Sequence, residues 1–475
     1  MPVAPLSRFI HWVSRRALRW SYRTVHYVGR DRIPRSGPVL LIGNHPNDLP
    51  DVLAGLFLTP RPVRYVATIS ATMMPLASAT YAALGVIPIT RIRDVRKMRE
   101  RGVDAAAVNA TAFAAVQTAF AQGDVVAVFP EGGVHDTSFL GAFRPGVSKM
   151  ALNTIEDGAI NDLTIVPFGL QYEAPQQLRS DVTVVVGAPV SLRTWADRER
   201  EAGRIPLASA LSKVLQDALI VVTRNSDSWD DAACRDRLIA AVAGVTAGRR
   251  PLAEYTAHVQ HRCSELVASQ MEIDPSPGVR WRTISHAVGV AVRRAGGIDT
   301  SALDTARVLA AARPTRLAED GGDALDADPR WPAPAPLLAT ALPALLGLAL
   351  HAPIWAITRW NARRSMQVRT DYVAKAILPG LHLIFLSYLL LGGLFALGFR
   401  AVGWSSGWAV PTLMLLPRLG DLGLWWRDGV RGLALRARVA RWPSAERAAL
   451  QAAAEQLRAA WLADARSADA SSTVS

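Results

Sequence analysis

Cysteine is nearly absent from these 475 residues, with Cys234 and Cys263 the only two. No disulfide framework can be built on such a pair, and a reducing, cytosol-facing location suits the chain. A secretory leader is not expected, because Arg8, Arg15, Arg16, Arg19 and Arg23 interrupt the apolar residues between Leu6 and Val25. There is no low-complexity Lys/Arg tail and no zinc-finger or basic-zipper spacing. Nucleic acid therefore ranks last among the partners that a net charge of +13 suggests. An anionic membrane surface or an anionic substrate remains. What the chain does have is apolar residues: 50% of it is hydrophobic, and its mean hydropathy of +0.16 is high for a purely soluble enzyme.

Patterning divides the chain into six segments. Residues 1–28 form a basic amphipathic helix, with Phe9, Ile10, Trp12, Val13, Trp20 and Tyr22 among the arginines. It either lies in the headgroup layer of an anionic membrane or packs its apolar stripe on the domain. Across 29–195 short apolar runs alternate with helical stretches such as Val103 to Ala121. The runs are VLLIG (39–43), VRYVAT (63–68), VVAVF (125–129), LTIVPFG (163–169) and VTVVVG (182–187). Such alternation predicts an α/β fold, a sheet flanked by helices. Residues 196–315 are charged, Ala-rich and helical in pattern, and 316–336 read as an acidic and Pro-rich linker.

Residues 337–420 form a membrane region. The uncharged stretch Ala376 to Phe399 is long enough to cross a hydrocarbon core of ~30 Å. A shorter stretch over 402–417 returns, while 337–357, interrupted by Pro343, His351 and Pro353, reads as interfacial or re-entrant. Basic residues at Arg359, Arg363, Arg364, Arg369 and Lys375, and again from Arg418 to Arg438, predict a hairpin with both ends cytoplasmic. The α/β domain would then face the cytoplasm, at the inner membrane in a bacterium. The competing topology buries the shorter helix and leaves one span. Residues 421–475 read as a helical tail that ends in disorder from Ser467.

Four short runs carry chemistry. The first, Gly43-Asn44-His45-Pro46-Asn47-Asp48-Leu49-Pro50-Asp51, follows a strand. A histidine there with a carboxylate at the next helix start suits a general base whose tautomer the carboxylate fixes. Both Asp51 and Asp48 lie within reach. In the second, Gly85 to Arg91, an apolar run ends in an arginine that can hold a phosphate through two bonds. In the third, Phe129-Pro130-Glu131-Gly132-Gly133-Val134-His135-Asp136, adjacent glycines let backbone N–H groups approach an anion. Glu131 there can bond a substrate hydroxyl or orient an arginine, and Arg144 follows beside a turn. The fourth is the apolar run Ile165-Val166-Pro167-Phe168-Gly169.

In this order and spacing the four runs resemble the phospholipid/glycerol acyltransferase family, over roughly residues 30–195. The six-residue step from His45 to Asp51 and the F-P-E-G-G-x-H-D run resemble one branch in particular. That branch holds the glycerol-3-phosphate and dihydroxyacetone-phosphate acyltransferases of the fungal type, with bacterial relatives. The segment Val221-Val222-Thr223-Arg224-Asn225 is similar to a stretch that follows its catalytic domain. The resemblance implies that His45 acts as general base and Asp51 orients it, and no acyl-enzyme forms. It implies that Arg91, Glu131, Gly132 and Arg144 position the phosphate-bearing acceptor. It also implies an acyl-CoA or acyl-carrier-protein thioester as donor, with no cofactor beyond that substrate and no metal.

Two alternatives stay open. The acceptor is either an unacylated glycerol phosphate or a lysophospholipid, chiefly 1-acylglycerol 3-phosphate. A non-catalytic lipid-binding membrane protein is the reading of another class. His258, His261 and Cys263 lie close in sequence but lack a fourth ligand at metal spacing, and read as helix residues. The acidic linker lacks the Gly-centred spacing of a calcium loop. Trp404, Trp408, Trp425 and Trp426 mark a membrane interface.

Overall fold

The computed structural model describes residues 5–69, 82–91, 94–135, 137–158, 160–205, 207–226, 228–246, 275–298, 301–312, 334–366 and 371–472. His258, His261, Cys263 and most of the acidic linker lie outside them. In chain order the strands are β1 Thr24–Val28, β2 Val39–Gly43, β3 Val63–Thr68, β4 Ile87–Ile89, β5 Val125–Val128, β6 Thr164–Tyr172, β7 Asp181–Val186 and β8 Val190–Ser191. They form one mixed sheet in the order β1-β7-β6-β2-β5-β3-β4, with β8 pairing β6. β2 runs parallel to both β5 and β6, whereas β6 and β7 are antiparallel. All five residues of β2 are buried, as expected for an inner parallel strand covered on both faces.

The helices that matter to the argument are α1 Pro5–Ser21, α2 Leu49–Gly55, α3 Ala105–Ala121, α4 Pro145–Glu156, α5 Ala208–Val222, α6 Trp229–Thr246, α7 Pro275–Arg294, α8 Ala302–Ala312, α9 Ala341–Ser365, α10 Asp371–Ala401, α11 Ala409–Ala440 and α12 Ser444–Ser472. Side chains alternate across a strand, so the sheet feeds two cores. Leu41, Phe168, Tyr172 and Val184 pack with α1 and α2 on one face. Leu40, Ile42, Val126 and Ile165 pack with Phe120 of α3 and Met150 of α4 on the other. Parallel strands β2 and β5 both end at the edge that carries His45 and Glu131.

Three features differ from the sequence reading. The N-terminal helix stops at Ser21, and TVHYV (24–28), β-branched and aromatic, pairs with β7 as the edge strand β1. The segments 196–315 and 421–475 share a core, because Val292 of α7, Val308 of α8, Leu435 of α11 and Leu450 of α12 pack together. The tail is helical through Ser472.

Two helices, Ala341–Ser365 and Tyr372–Ala401, are long and apolar enough to cross a membrane. The return over 402–417 is a turn followed by the first part of α11, which continues past Arg418. Helix α9 lies against α11, where a Cβ on Gly347 would stand 2.0 Å from the Leu419 carbonyl oxygen. It also meets α1 and α10: His351 meets the Trp20 ring edge-on and hydrogen-bonds Tyr388 of α10 at 2.8 Å.

A buried ionic cluster joins β1, β7, α8 and α11. Arg23 donates to Asp181 at 2.9 and 2.7 Å and to Asp304 at 3.1 Å, and Arg431 reaches Asp304 at 3.2 Å. Glu173 sits in the same cluster, and burial, followed by the Asp181 charge, pushes its carboxyl up to about 8 from an ordinary 4.5. Between those two values the native state holds a proton that the unfolded chain has released. Rising pH therefore removes stability across that window. Glu173→Gln is expected to be more stable than the parent at pH 8, with the gain shrinking toward pH 4.5. Denaturant unfolding at several pH values checks this.

Candidate active site

The turn after β2 is pinned before any catalytic group is placed. Asn44 clips onto β6, donating to the Leu170 carbonyl at 3.1 Å and accepting the Leu170 N–H at 2.7 Å. Asp48 takes a positive φ of 55° with ψ −117° at the N-cap of α2, where it makes no capping bond. That reversal brings Asp51, in the first turn of α2, back beneath His45. His45 Nδ1 lies 2.9 Å from Asp51 Oδ2. The Asn47 N–H donates to the same oxygen at 2.7 Å, and the Tyr172 hydroxyl donates to Oδ1 at 2.5 Å. Asp51, not Asp48, is the partner.

Asp51 is 0% exposed. Burial raises its pKa, although the bonds from His45, Tyr172 and Asn47 pull the other way. With an ionised Asp51 accepting from Nδ1, the His45 tautomer leaves a lone pair on Nε2. That nitrogen has no hydrogen bond among the described residues. The imidazole stacks on Phe129, ring centroids 4.1 Å apart and planes 4° apart.

Glu131 lies opposite, at the end of β5, and is buried. Its Oε1 accepts the His45 N–H at 2.8 Å, its Oε2 accepts the Gly141 N–H at 2.7 Å, and the same Oε2 pairs with His135 Nε2. His135 Nδ1 meets the Thr137 hydroxyl, whose single proton goes to the Phe139 carbonyl at 2.9 Å. Glu131 therefore acts as a strut between the β2 and β5 loops, rather than presenting free oxygens to a substrate hydroxyl. The loop it braces is also tied to α5: Leu140 N–H donates to Asn225 Oδ1 at 2.7 Å. Gly132 follows in the same loop. It adopts φ 74° and its N–H closes a turn onto the Phe129 carbonyl at 3.0 Å.

Arg91 and Arg144 stand on the rim of a cavity of about 470 Å³. Its walls are chiefly apolar, from Val66, Ile89, Phe113, Val116, Val128, Val147 and Met150. Phe129 lines it too, so one ring separates the cavity from the His45 imidazole. Asn109 of α3 clips both backbone groups of Thr90, at 2.7 and 3.0 Å, and so fixes the end of β4 where Arg91 begins. Arg91 Nε donates to Asp94 at 2.6 Å, and Nη1 lies 3.4 Å from the Gly132 carbonyl. Arg144 is exposed and has no ion pair among the described residues. No group of three metal-ligating side chains stands together among the described residues.

The structure thus brings together His45, Asp51 and Glu131, and places Arg91, Gly132 and Arg144 at the cavity. Sequence reasoning missed Tyr172, Asn47 and Phe129 as neighbours of the dyad, and Tyr172 lies 121 residues from Asp51. His135 was legible, within the F-P-E-G-G-x-H-D run.

Residues 24–171 match the family model described as Acyltransferase. An uncharacterised acyltransferase of Schizosaccharomyces pombe is 29% identical over 116 residues, 24% of this chain and 17% of that protein. Glycerol-3-phosphate O-acyltransferase 2 of Saccharomyces cerevisiae is 31% identical over 110 residues, 22% of this chain and 14% of the relative. Glycerol-3-phosphate O-acyltransferase 1 of the same yeast is 35% identical over 72 residues, 15% and 10% of the two chains. The matched stretches therefore span at most 17% of these relatives' lengths. Among solved structures, the 1-acyl-sn-glycerophosphate acyltransferase PlsC from Thermotoga maritima is 15% identical, covers 45% of this chain and 78% of its own, and has a TM-score of 0.33.

Proposed function

We propose, from the premise that residues 24–171 are a domain of the acyltransferase family, that this chain moves a fatty acyl group from a thioester to a hydroxyl of glycerol 3-phosphate or dihydroxyacetone phosphate. The observation that carries the reading is the buried His45–Asp51 pair, its Nε2 open, one aromatic ring away from an apolar cavity rimmed by arginines. Nε2 takes the acceptor hydroxyl proton as that oxygen attacks the thioester carbonyl. Collapse of the adduct breaks the C–S bond, and His45 returns the proton to the leaving thiolate. Asp51 stabilises the imidazolium in between. A thioester is already activated, so no acyl-enzyme is required. The donor is acyl-CoA or acyl-carrier protein. The acyl chain suits the apolar walls, whose volume lies within the ~300–1,000 Å³ usual for small-molecule sites.

Membrane lipids are the natural surroundings of the product, a phospholipid precursor. The start of α10 packs into the catalytic core through Tyr372, Val373 and Ile377, while Phe385, Leu389, Leu394 and Leu397 stay exposed further along. Arg359, Arg363, Arg364 and Lys375 gather near that junction, which favours a cytoplasmic side for the domain.

One observation favours a second acceptor. The cavity adjoins Arg91, so a 1-acylglycerol 3-phosphate can place its phosphate on the guanidinium and its chain against Val128 and Met150. The test is labelled acyl-CoA, then acyl-carrier protein, offered with glycerol 3-phosphate, dihydroxyacetone phosphate and 1-acylglycerol 3-phosphate. Preference for the third replaces the first reading, and transfer to none removes both. Arg91→Ala is expected to raise the acceptor KM by about 10- to 100-fold with the donor KM within about 2-fold. An unchanged acceptor KM excludes Arg91 from phosphate binding.

A further inference from the structure

Arg179 is one of two non-glycine residues with positive φ among the described residues, at 68°; the other is Asp48 beside the dyad. A positive φ is disfavoured for a side chain with a Cβ, so such an outlier calls for a local cause. At Arg179 that φ goes with a set of bonds that converge on the end of α1. Its N–H donates to the Ser21 carbonyl at 2.6 Å. Its guanidinium donates to the Tyr22 carbonyl at 2.6 Å, to the Arg19 carbonyl, and to Asp428 of α11, at 3.2 Å from Nε and again from Nη2. The carbonyls at the end of α1, which have no helical partner of their own, are capped by a cation that α11 holds from behind.

The residue so fixed is Tyr22. It is buried, its ring stands 5.6 Å from that of Tyr172, and its hydroxyl accepts from Asn47 Nδ2 at 3.1 Å. Asn47 and Tyr172 are the two groups besides His45 that bond Asp51. A continuous line therefore runs from Asp428 through Arg179 and Tyr22 to both supports of the catalytic carboxylate. Arg23, the next residue, is held by Asp181 and by Asp304 of α8, so the same junction is clamped from a second side.

We propose that Asp428 and Arg179 are positioning residues for the His45–Asp51 pair, and that α11 is a working part of the catalytic domain rather than an appendage to it. This rests on the reading of His45 as general base. Docking of α11 would then couple turnover to the state of the apolar helices α9 and α10 packed beside it, without any of them touching substrate.

The test compares Asp428→Asn with Asp421→Asn. Asp421 also ties α11 to α1, through Arg16 at 2.8 Å, but no hydrogen bond or ion pair joins it to Tyr22 among the described residues. In the full-length, detergent-solubilised protein, Asp428→Asn is expected to lower kcat roughly 10-fold with both KM values within about 2-fold. Asp421→Asn is expected to keep kcat within about 2-fold. Hydrogen exchange over residues 44–51 should speed up about 10-fold in Asp428→Asn and not in Asp421→Asn. Asp428→Glu should restore most of kcat. Equal kcat in the two Asn variants, or a loss in Asp428→Asn matched by its unfolded fraction alone, overturns the proposal. If the parent transfers acyl groups to no acceptor, the functional reading fails while exchange at 44–51 still decides this one: unchanged exchange overturns it. If Asp428→Asn does not fold, Arg179→Lys, which keeps the charge but not the simultaneous bonds, is measured in the same way.

Discussion

His45→Ala is expected to lower kcat by about 10³-fold while the folded fraction and both KM values stay near those of the parent. General-base catalysis by a positioned side chain contributes ~10²–10⁴-fold. The upper part of that range fits here, because no second base stands at the open nitrogen among the described residues. The folded state should tolerate the change, since among the described residues the imidazole makes one side-chain hydrogen bond, to Asp51, and one stacking contact, to Phe129. The measurement is steady-state transfer alongside circular dichroism. A kcat within 10-fold of the parent would remove His45 from the chemistry and return the chain to the non-catalytic lipid-binding reading.

The second large effect is expected from Asp51→Asn, a loss of about 10²–10⁴-fold in kcat. Three donors converge on this carboxylate: His45 Nδ1, the Asn47 N–H and the Tyr172 hydroxyl. An amide offers one acceptor oxygen for them and turns an NH2 group toward the rest. If that group donates to Nδ1, the His45 proton moves to Nε2, where the base should be. Asp48→Asn is the control. Asn has nearly the shape of Asp, and Asp48 makes no capping bond, so kcat should stay within about 2-fold. Equal losses at 48 and 51 would contradict the assignment of Asp51 as partner. Because burial raises the Asp51 carboxyl above the ordinary carboxylate value, acid protonates it early. The parent's kcat should fall on the acid side as Asp51 takes up its proton, a dependence that Asp51→Asn removes from the residual rate.

Much of the catalytic domain was legible residue by residue. VLLIG, VRYVAT and VVAVF are strands at or within a residue of the runs themselves: VLLIG and VVAV are buried throughout, as inner parallel strands covered on both faces must be, and VRYVAT is rich in β-branched and aromatic residues. TVHYV was hidden by its neighbours: arginines on either side of a short β-branched run look like the continuation of an amphipathic helix. Glu131 shows a different limit. Its motif was plain, yet nothing in the run reveals that both oxygens face the His45 and Gly141 N–H groups. The apolar helices illustrate a third limit, since hydropathy locates them but does not reveal that His351 packs under Trp20.

By itself the sequence determined the α/β class, the order of the four runs, the apolar C-terminal helices and the scarcity of disulfide chemistry. These follow from local patterning, in which each residue's neighbours in the chain are also its neighbours in the element. Only the tertiary structure decided between Asp48 and Asp51, set Tyr172 on the carboxylate from 121 residues away, merged two helical segments into one core, and brought Asp428 beneath α1. Those outcomes depend on a positive-φ reversal at Asp48 and on contacts between distant segments. Such contacts form only when burial of the whole sheet and its helices has brought the chain together, and no local pattern encodes them.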